Sequence, residues 1–124
     1  MNVLITGSNT GFGKLAAISL ARNGMTVIAT MRNLSKGDDL LRISQEEELP
    51  IEIRQLDVCD PEMVKDCLSD ASEIDAVVNN AGFEVQAAIE QLEDEMMLRQ
   101  LDTNLLGPLR VIRAVLPAWS QRGS

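Results

Sequence analysis

Short apolar segments alternate along this chain with segments whose apolar residues recur at helical spacing. The first is the aliphatic run Val3 to Ile5, and strands are also predicted at Thr26 to Thr30, Ile51 to Val58 and Ala76 to Val78. Aliphatic runs that do not alternate with polar residues are typical of strands covered on both faces, as in parallel sheets. The pattern therefore predicts an α/β fold built from βα units.

The segments between these strands carry helical patterns. Leu15, Ile18 and Ala21 recur at helical spacing behind the first strand, and two further helices are predicted for residues 34–49 and residues 61–71. An Asp-Pro pair marks the start of the latter helix. Because every strand is followed by a helix, we expect about four βα units in a right-handed parallel sheet of spatial order 3-2-1-4.

A long helix is predicted to follow the acidic cluster Glu93-Asp94-Glu95, which suits a helix N-terminus. Its leucine and isoleucine residues repeat at steps of four and three, which predicts one buried stripe. The stripe consists of Leu101, Leu105, Leu109, Ile112 and Leu116. Pro108 and Pro117 are expected to kink or restart the helix, because proline removes a backbone donor.

A glycine-rich turn follows the first strand and leads directly into the first helix. It has the form Thr-Gly-x-x-x-Gly-x-Gly, with glycines at positions 7, 11 and 13. Glycine permits backbone angles that other residues avoid, and it lets a phosphate approach the backbone closely. The helix behind the turn offers unpaired N–H groups that can hold a pyrophosphate. We predict a phosphate-binding turn, with a purely structural turn as the alternative.

Two other nucleotide-binding turns fit this spacing less well. A P-loop is excluded because Ser8 occupies the position of its first glycine and Leu15 follows Gly13-Lys14. A methyltransferase turn is disfavoured because those enzymes usually place a carboxylate at the end of the second strand. In this chain the second strand ends in Thr30-Met31-Arg32, which contains no carboxylate.

Two charged residues follow predicted strands. Arg32 stands where an acid would bind a ribose hydroxyl, and its guanidinium suits the additional phosphate of NADP, so NADP is predicted over NAD. Asp57 lies near the carboxyl end of a parallel strand, where ligands collect in open α/β sheets. The alternatives are a solvated surface arginine and a loop acid that binds nearby backbone N–H groups.

The fourth predicted strand ends in Asn79-Asn80-Ala81-Gly82. Asparagine amides can satisfy backbone groups where a sheet opens, and Ala-Gly lets the chain pass close to a ligand. This sequence and the glycine turn, in this order, resemble the two signatures of the short-chain dehydrogenase/reductase family. The resemblance covers essentially the full chain. It implies a Rossmann-type doubly wound parallel sheet and an NADP-dependent oxidoreductase.

The resemblance also implies which residues form the site. Asp57 would touch the adenine ring, and Asn104 would belong to the catalytic tetrad in a supporting role; an exposed helical asparagine is the alternative. The expected cofactor-binding residues are Thr6, Gly7, Ser8, Asn9, Thr10, Gly11, Phe12, Gly13, Arg32, Asp57, Val58, Asn79, Asn80, Ala81 and Gly82.

Family members continue into a fifth strand with a Ser and a helix with Tyr-x-x-x-Lys, and these residues carry the proton chemistry. This sequence contains no Tyr. We therefore expect residues 1–124 to be one NADP-binding domain, truncated relative to the family and inactive alone. The fourth strand would then form an exposed edge, which is expected to self-associate or to pair with a C-terminal partner.

The composition limits the remaining possibilities. A net charge of -8 disfavours nucleic acid as a partner. The spacing of Cys59 and Cys67, with no His in the chain, predicts free thiols and no metal site. No signal peptide or membrane segment is predicted, so we expect a cytoplasmic location without membrane association.

Three hypotheses about function follow. The first is the cofactor-binding part of an NADP-dependent reductase that acts on a small carbonyl or alcohol. The second is a non-catalytic NADP(H)-binding sensor or regulatory module, and the third is a structural remnant whose turn binds nothing. The sequence does not identify a substrate.

Overall fold

A computed structural model describes residues 1–84 and 86–123 of the chain. It contains a four-stranded sheet in the order β3-β2-β1-β4, as predicted, and all three pairings are parallel. The strands are β1 (Asn2–Ile5), β2 (Thr26–Met31), β3 (Ile51–Gln55) and β4 (Ala76–Val78). The helices are α1 (Gly11–Arg22), α2 (Asp38–Glu46), α3 (Pro61–Cys67), α4 (Asp94–Leu101) and α5 (Gly107–Arg122). The fold is the parallel α/β sheet expected from the alternation of strands and helices, and it has the Rossmann-type arrangement that the resemblance implied.

Strand β1 lies at the centre and has a hydrophobic core on each side. Leu4 packs in the core that includes Val111 and Val115 of α5, whereas Val3 and Ile5 pack in the core that includes residues of α1 and α2. Successive side chains of a strand point to opposite faces, so a strand covered on both faces must be apolar at every position. The uninterrupted aliphatic run of β1 is the consequence.

The predicted helices are present, but several are shorter than expected. The segment 34–49 divides into a 3₁₀ turn, Leu34–Gly37, and helix α2, and α3 ends at Cys67 instead of Ala71. The start of α3 is as predicted, because the Asp60 carboxylate accepts the backbone N–H groups of residues 62 and 63 at 3.1 and 3.2 Å. Leu15 was expected on the buried face of α1 and is instead exposed.

A single π turn, Asp102–Leu106, joins α4 to α5. In this turn the N–H of Gly107 bonds to the carbonyl of Asp102, five residues earlier. Pro108 explains the widening, since proline has no N–H to donate and its ring crowds the carbonyl four residues before it. The interruption predicted at Pro108 is confirmed, whereas α5 continues through Pro117.

The predicted buried stripe of the long helix is wrong. Its members Leu101, Leu105, Leu109, Ile112 and Leu116 are all exposed. Helix α5 instead buries Gly107, Val111 and Val115, and the indole Nε1 of Trp119 donates to the Ile74 carbonyl at 2.7 Å. Leu109, Ile112 and Leu116 all lie within α5, after the π turn, and their spacing does define one helical face, but the face that packs against the core is that of Val111 and Val115. The apolar stripe of the sequence therefore lies on the surface.

Strand β4 is the last strand of the sheet, and within residues 1–84 and 86–123 no strand pairs with its outer edge. Val78, at its end, is exposed. None of the helices in that same part of the chain has the length and apolar character needed to cross a bilayer.

The corrected helix face can be tested by paired substitutions. Val111→Ala should lower the free energy of unfolding by about 2 kcal/mol, because it removes two buried carbons and leaves a cavity. Leu109→Ala, at a residue that is 46% exposed, should change it by less than about 0.5 kcal/mol. Urea denaturation followed by circular dichroism measures both values. A larger loss for Leu109→Ala than for Val111→Ala would contradict the assignment of the buried face.

Candidate functional site

The carboxyl ends of the parallel strands open into a cleft of about 650 Å³. It is lined by residues of the glycine turn and of the segments that follow β2, β3 and β4. Eleven of the residues predicted from the sequence lie in this lining: Gly7, Asn9, Thr10, Gly11, Phe12, Arg32, Asp57, Val58, Asn80, Ala81 and Gly82. The structure thus brings most of the predicted positions together in one cavity.

The glycine turn needs its glycines for two different reasons. Gly7 and Gly11 have φ angles of 65° and 58°, a region that side chains strongly disfavour. Gly7 and Gly13 also have no room for a side chain, since an added Cβ would lie 2.8 Å from the Cα of Ala81 and 2.3 Å from the carbonyl oxygen of Gly7, respectively. The turn is therefore packed closely against the end of β4.

Helix α1 begins at Gly11, at the edge of the cleft, and its first turn contains no acidic residue. Among the residues that the structure describes, no side chain caps this end, including the N-cap residue Thr10. The backbone N–H groups of the first helical turn lack helical partners, and the helix dipole is positive there. This geometry suits an anionic ligand.

Thr6 ties the glycine turn to the end of β4. Its buried Oγ1 accepts the backbone N–H groups of Asn80 at 3.0 Å and of Ala81 at 2.9 Å. The Asn80 side chain donates in return to the carbonyl of Gly7 at 3.0 Å. These bonds fix the position of the Asn-Ala-Gly segment relative to the turn.

Four predicted cofactor-binding residues lie outside the cleft lining. Thr6 and Ser8 are buried, and the Ser8 hydroxyl donates to the Ile5 carbonyl at 2.9 Å. Gly13 is buried beneath the turn, and Asn79 is exposed beside the cleft. The first three build the framework that supports the turn instead of facing the cavity.

Arg32 and Asp57 both line the cleft, on the sides that follow β2 and β3. The Arg32 side chain is exposed there, which leaves its guanidinium available to an anion. Asp57 also accepts the backbone N–H of Cys59 at 2.9 Å, which agrees with the alternative prediction of a loop acid that binds nearby backbone N–H groups. Asp57 therefore combines a local turn contact with a place in the cavity wall.

Asn104 lies in the π turn, outside the cleft lining. Its Oδ1 accepts the N–H of Phe83 at 2.9 Å, and its Nδ2 donates to the carbonyl of the same residue at 2.7 Å. Gly82 packs against this amide so closely that an added Cβ would lie 2.8 Å from Oδ1. The asparagine thus clamps the segment that follows the Asn-Ala-Gly sequence.

The cleft also contains residues that sequence reasoning missed. They are Leu56, Cys59, Phe83, Arg99, Asp102 and Thr103. The Arg99 guanidinium lies 5.8 Å from the centre of the Phe83 ring, within the range of a cation–π contact. Cys59 follows Asp57-Val58 directly and was open to prediction, whereas the residues of α4 and the π turn reach the cleft only through the tertiary fold.

Cys59 and Thr103 close one wall of the cleft. The Cys59 Sγ lies 3.1 Å from the Thr103 Oγ1. Burial raises the pKa of the Cys59 thiol above its ordinary value, and it does the same for Cys67, so both are protonated at neutral pH. Both are free cysteines, and the described residues contain no cluster of His, Cys, Asp and Glu that would suit a metal ion.

A family model for short chain dehydrogenases matches residues 1–124. The chain belongs to this family. It is 38% identical over 125 residues to retinol dehydrogenase 8 of Homo sapiens, an alignment that covers 97% of this chain and 40% of that protein. The order of the strands and the two signatures recognised in the sequence agree with this assignment.

Solved structures of short-chain dehydrogenases have the same fold. The chain matches an actinorhodin polyketide ketoreductase variant with NADPH at a TM-score of 0.91 and 29% identity, covering 99% of this chain and 49% of that one. It also matches a gluconate 5-dehydrogenase from Burkholderia cenocepacia in complex with NADP and tartrate, at a TM-score of 0.87 and 29% identity, with 98% and 49% covered. The chain spans two-fifths to one-half of the length of these proteins.

Proposed function

We propose that this chain is the cofactor-binding part of an NADP-dependent short-chain oxidoreductase that acts on a small carbonyl or alcohol substrate. The observation that carries the proposal is the single cleft that holds the glycine turn, Arg32, Asp57 and Asn80 to Gly82 together. NADP or NADPH, when bound, supplies the hydride acceptor or donor. The residues of this chain bind and orient it.

The residues present fit a dinucleotide. The open N-terminus of α1 and the turn would hold its pyrophosphate, since their N–H groups and dipole favour negative charge. Asp57 and Val58 would hold the adenine side. Asn80 to Gly82 would face the nucleoside on the other side, where the small residues allow close approach.

Preference for NADP over NAD is assigned to Arg32. Residues 31 to 33 after β2 read Met-Arg-Asn, without the acid that would bind the ribose hydroxyls and repel the 2′-phosphate. An exposed guanidinium in the cleft wall can donate two parallel hydrogen bonds to that phosphate. The solved neighbours with NADP or NADPH support the same choice.

Proton transfer requires groups that these 124 residues do not supply. The chain contains no Tyr, the residue that donates or accepts the substrate proton in the family, and Asn104 is assigned only a supporting role. Residues 1–124 would therefore form an NADP-binding domain that is incomplete with respect to catalysis. A second candidate function is a non-catalytic module that senses NADP(H), which would use the same cleft without any proton-transfer group.

The edge of the sheet is the proposed contact for the remaining part of an active enzyme. Within residues 1–84 and 86–123 no strand pairs with the outer edge of β4, and an unpaired strand edge favours pairing with a further strand. We assign this edge to a C-terminal half of the same family fold or, without it, to a second copy of the chain.

The assignment of Arg32 predicts a specific loss. Arg32→Ala should weaken NADPH binding by about 10- to 100-fold and leave NADH binding nearly unchanged, because only the 2′-phosphate loses its charged partner. Isothermal titration with both nucleotides measures the two affinities. Arg113→Ala, at an exposed arginine of α5, is the matched control and should bind both nucleotides like the unchanged chain. Equal losses for NADPH and NADH would contradict the assignment, and no binding of either nucleotide to the unchanged chain would overturn the proposed function.

The catalytic assignment predicts that the 124-residue chain alone reduces no carbonyl substrate. The expected result is no oxidation of NADPH above the rate without protein, followed by absorbance at 340 nm. Adding a C-terminal half that carries Ser and Tyr-x-x-x-Lys should produce turnover if the chain is part of an enzyme, and should not if it is a sensor module. Turnover by the chain alone that Asn104→Ala abolishes would contradict the prediction.

The exposed edge predicts association. Sedimentation velocity should show dimers whose fraction rises with protein concentration. Val77→Pro should lower this dimer fraction, because proline cannot donate a hydrogen bond to a neighbouring strand. Circular dichroism verifies that this variant remains folded. A clean monomer at high concentration would count against association through β4.

A further inference from the structure

The π turn Asp102–Leu106 contacts both walls of the cleft. Thr103 and Asn104 contact the walls directly, and Asp102 is linked to the β3 side through Arg110 of α5. Asp102 accepts a hydrogen bond from Arg110, Thr103 meets the thiol of Cys59 after β3, and Asn104 holds the backbone of Phe83 after β4. One short turn therefore joins the segment after β3 to the segment after β4.

Arg110 of α5 fixes this turn to the β3 side. Its Nη1 donates to the carbonyl of Val58 at 2.9 Å, and its Nη2 donates to Oδ1 of Asp102 at 2.5 Å. The side chain is only 20% exposed. A guanidinium presents several donors in one rigid plane, whereas a lysine ammonium is a compact charge on a flexible stem. The two contacts made by Arg110 thus depend on its shape as well as its charge.

Backbone packing makes the same junction tight. Gly107, directly after the π turn, lies against Val58, and an added Cβ at this glycine would be 2.6 Å from Val58 Cγ2. Val58 is therefore held from one side by packing and through its carbonyl by Arg110. Because Val58 and Asp57 line the cleft and Arg110 lies outside that lining, Arg110 can act on the cavity only through the residues that it holds.

We propose that Arg110 is a positioning residue that holds the adenosine-side wall of the cleft, Asp57 to Cys59, against the π turn. This inference rests on the proposed binding of NADP. Without the guanidinium, the carbonyl of Val58 and the carboxylate of Asp102 lose their common partner, and the wall separates from the turn. Affinity for the adenosine half of the cofactor then falls, although Arg110 does not touch it.

Binding of a cofactor fragment tests whether the loss of affinity lies in the adenosine half of NADPH. Arg110→Gln should weaken binding of NADPH and of adenosine 2′,5′-bisphosphate by the same factor, about tenfold, since the loss lies in the half that they share. Arg110→Lys should bind both ligands more tightly than Arg110→Gln but more weakly than the unchanged chain, because lysine keeps the charge and lacks the planar set of guanidinium donors. Arg113→Gln removes the same charge from an exposed position of the same helix and should change neither affinity.

Thiol alkylation gives a second readout that separates positioning from general loss of stability. Arg110→Gln should increase the alkylation rate of Cys59, which lies at the junction, by about tenfold or more and leave that of Cys67 at the end of α3 unchanged. Mass spectrometry of the labelled peptides measures both rates in one sample. Equal acceleration of the two thiols would show a merely structural role and overturn the inference. If Arg110→Gln does not fold, Arg110→Lys keeps the charge without the two contacts of the guanidinium, and the same difference between the thiols is expected in smaller measure.

The two proposals fail in different ways. If the unchanged chain binds neither NADPH nor adenosine 2′,5′-bisphosphate, the proposed function is overturned, and this inference with it. If the unchanged chain binds both and Arg110→Gln binds them equally well, only the positioning role of Arg110 is overturned.

Discussion

The close contact between the glycine turn and the end of β4 is the constraint on which the site depends. Gly7 approaches Ala81 so closely that no side chain fits between them, and the hydroxyl of Thr6 accepts two backbone N–H groups from the same segment. A buried N–H group without its acceptor costs about 1–3 kcal/mol, more than one hydrogen bond contributes on average. Displacing the segment would therefore break several contacts together. This coupling holds the turn and the Asn-Ala-Gly segment in one geometry across the mouth of the sheet.

The proposed cofactor is an anion, and the net charge of the protein is -8. Its lining contains two arginines, Arg32 and Arg99, and two aspartates, Asp57 and Asp102, so its formal charges cancel. The carboxylate of Asp102 is paired with Arg110, outside the lining. What remains at the turn is the open N-terminus of α1, whose positive end acts at short range and within about one helical turn. The local field, and not the net charge, thus favours phosphate at this position.

The sequence was sufficient to predict the sheet and to predict which residues meet at its carboxyl edge. Aliphatic runs such as Val3 to Ile5 predicted buried strands, and the alternation with helices predicted the strand order. The chemistry of the turn and the strand ends predicted eleven of the residues that line the cleft. These residues lie together because each position depends on local sequence and on the rule that parallel strands end at the same edge of a sheet, and their role in binding a cofactor stays a prediction.

The long helix shows where such reasoning fails. Leu109, Ile112 and Leu116 repeat correctly for one face of α5, but that face is exposed, and α5 uses Val111 and Val115 for the core. Arg99 and Thr103 were missed because their place in the cleft depends on how α4 and the π turn pack against the segments that follow β3 and β4. Hydrophobic periodicity identifies an apolar face of a helix, and it does not show which of two apolar faces packs against the sheet.

Asn104 illustrates how a structural contact affects the interpretation of a site residue. Its amide commits one acceptor and one donor to the backbone of Phe83, and it packs against Gly82, which lines the cleft. Replacing Asn104 would release the segment after β4, and it would also remove whatever contribution the amide makes to proton transfer. A loss of activity in such a variant would therefore not distinguish the two roles by itself. A change in cofactor affinity would indicate the clamp, because proton transfer acts on the reaction step and the clamp acts on the shape of the cleft.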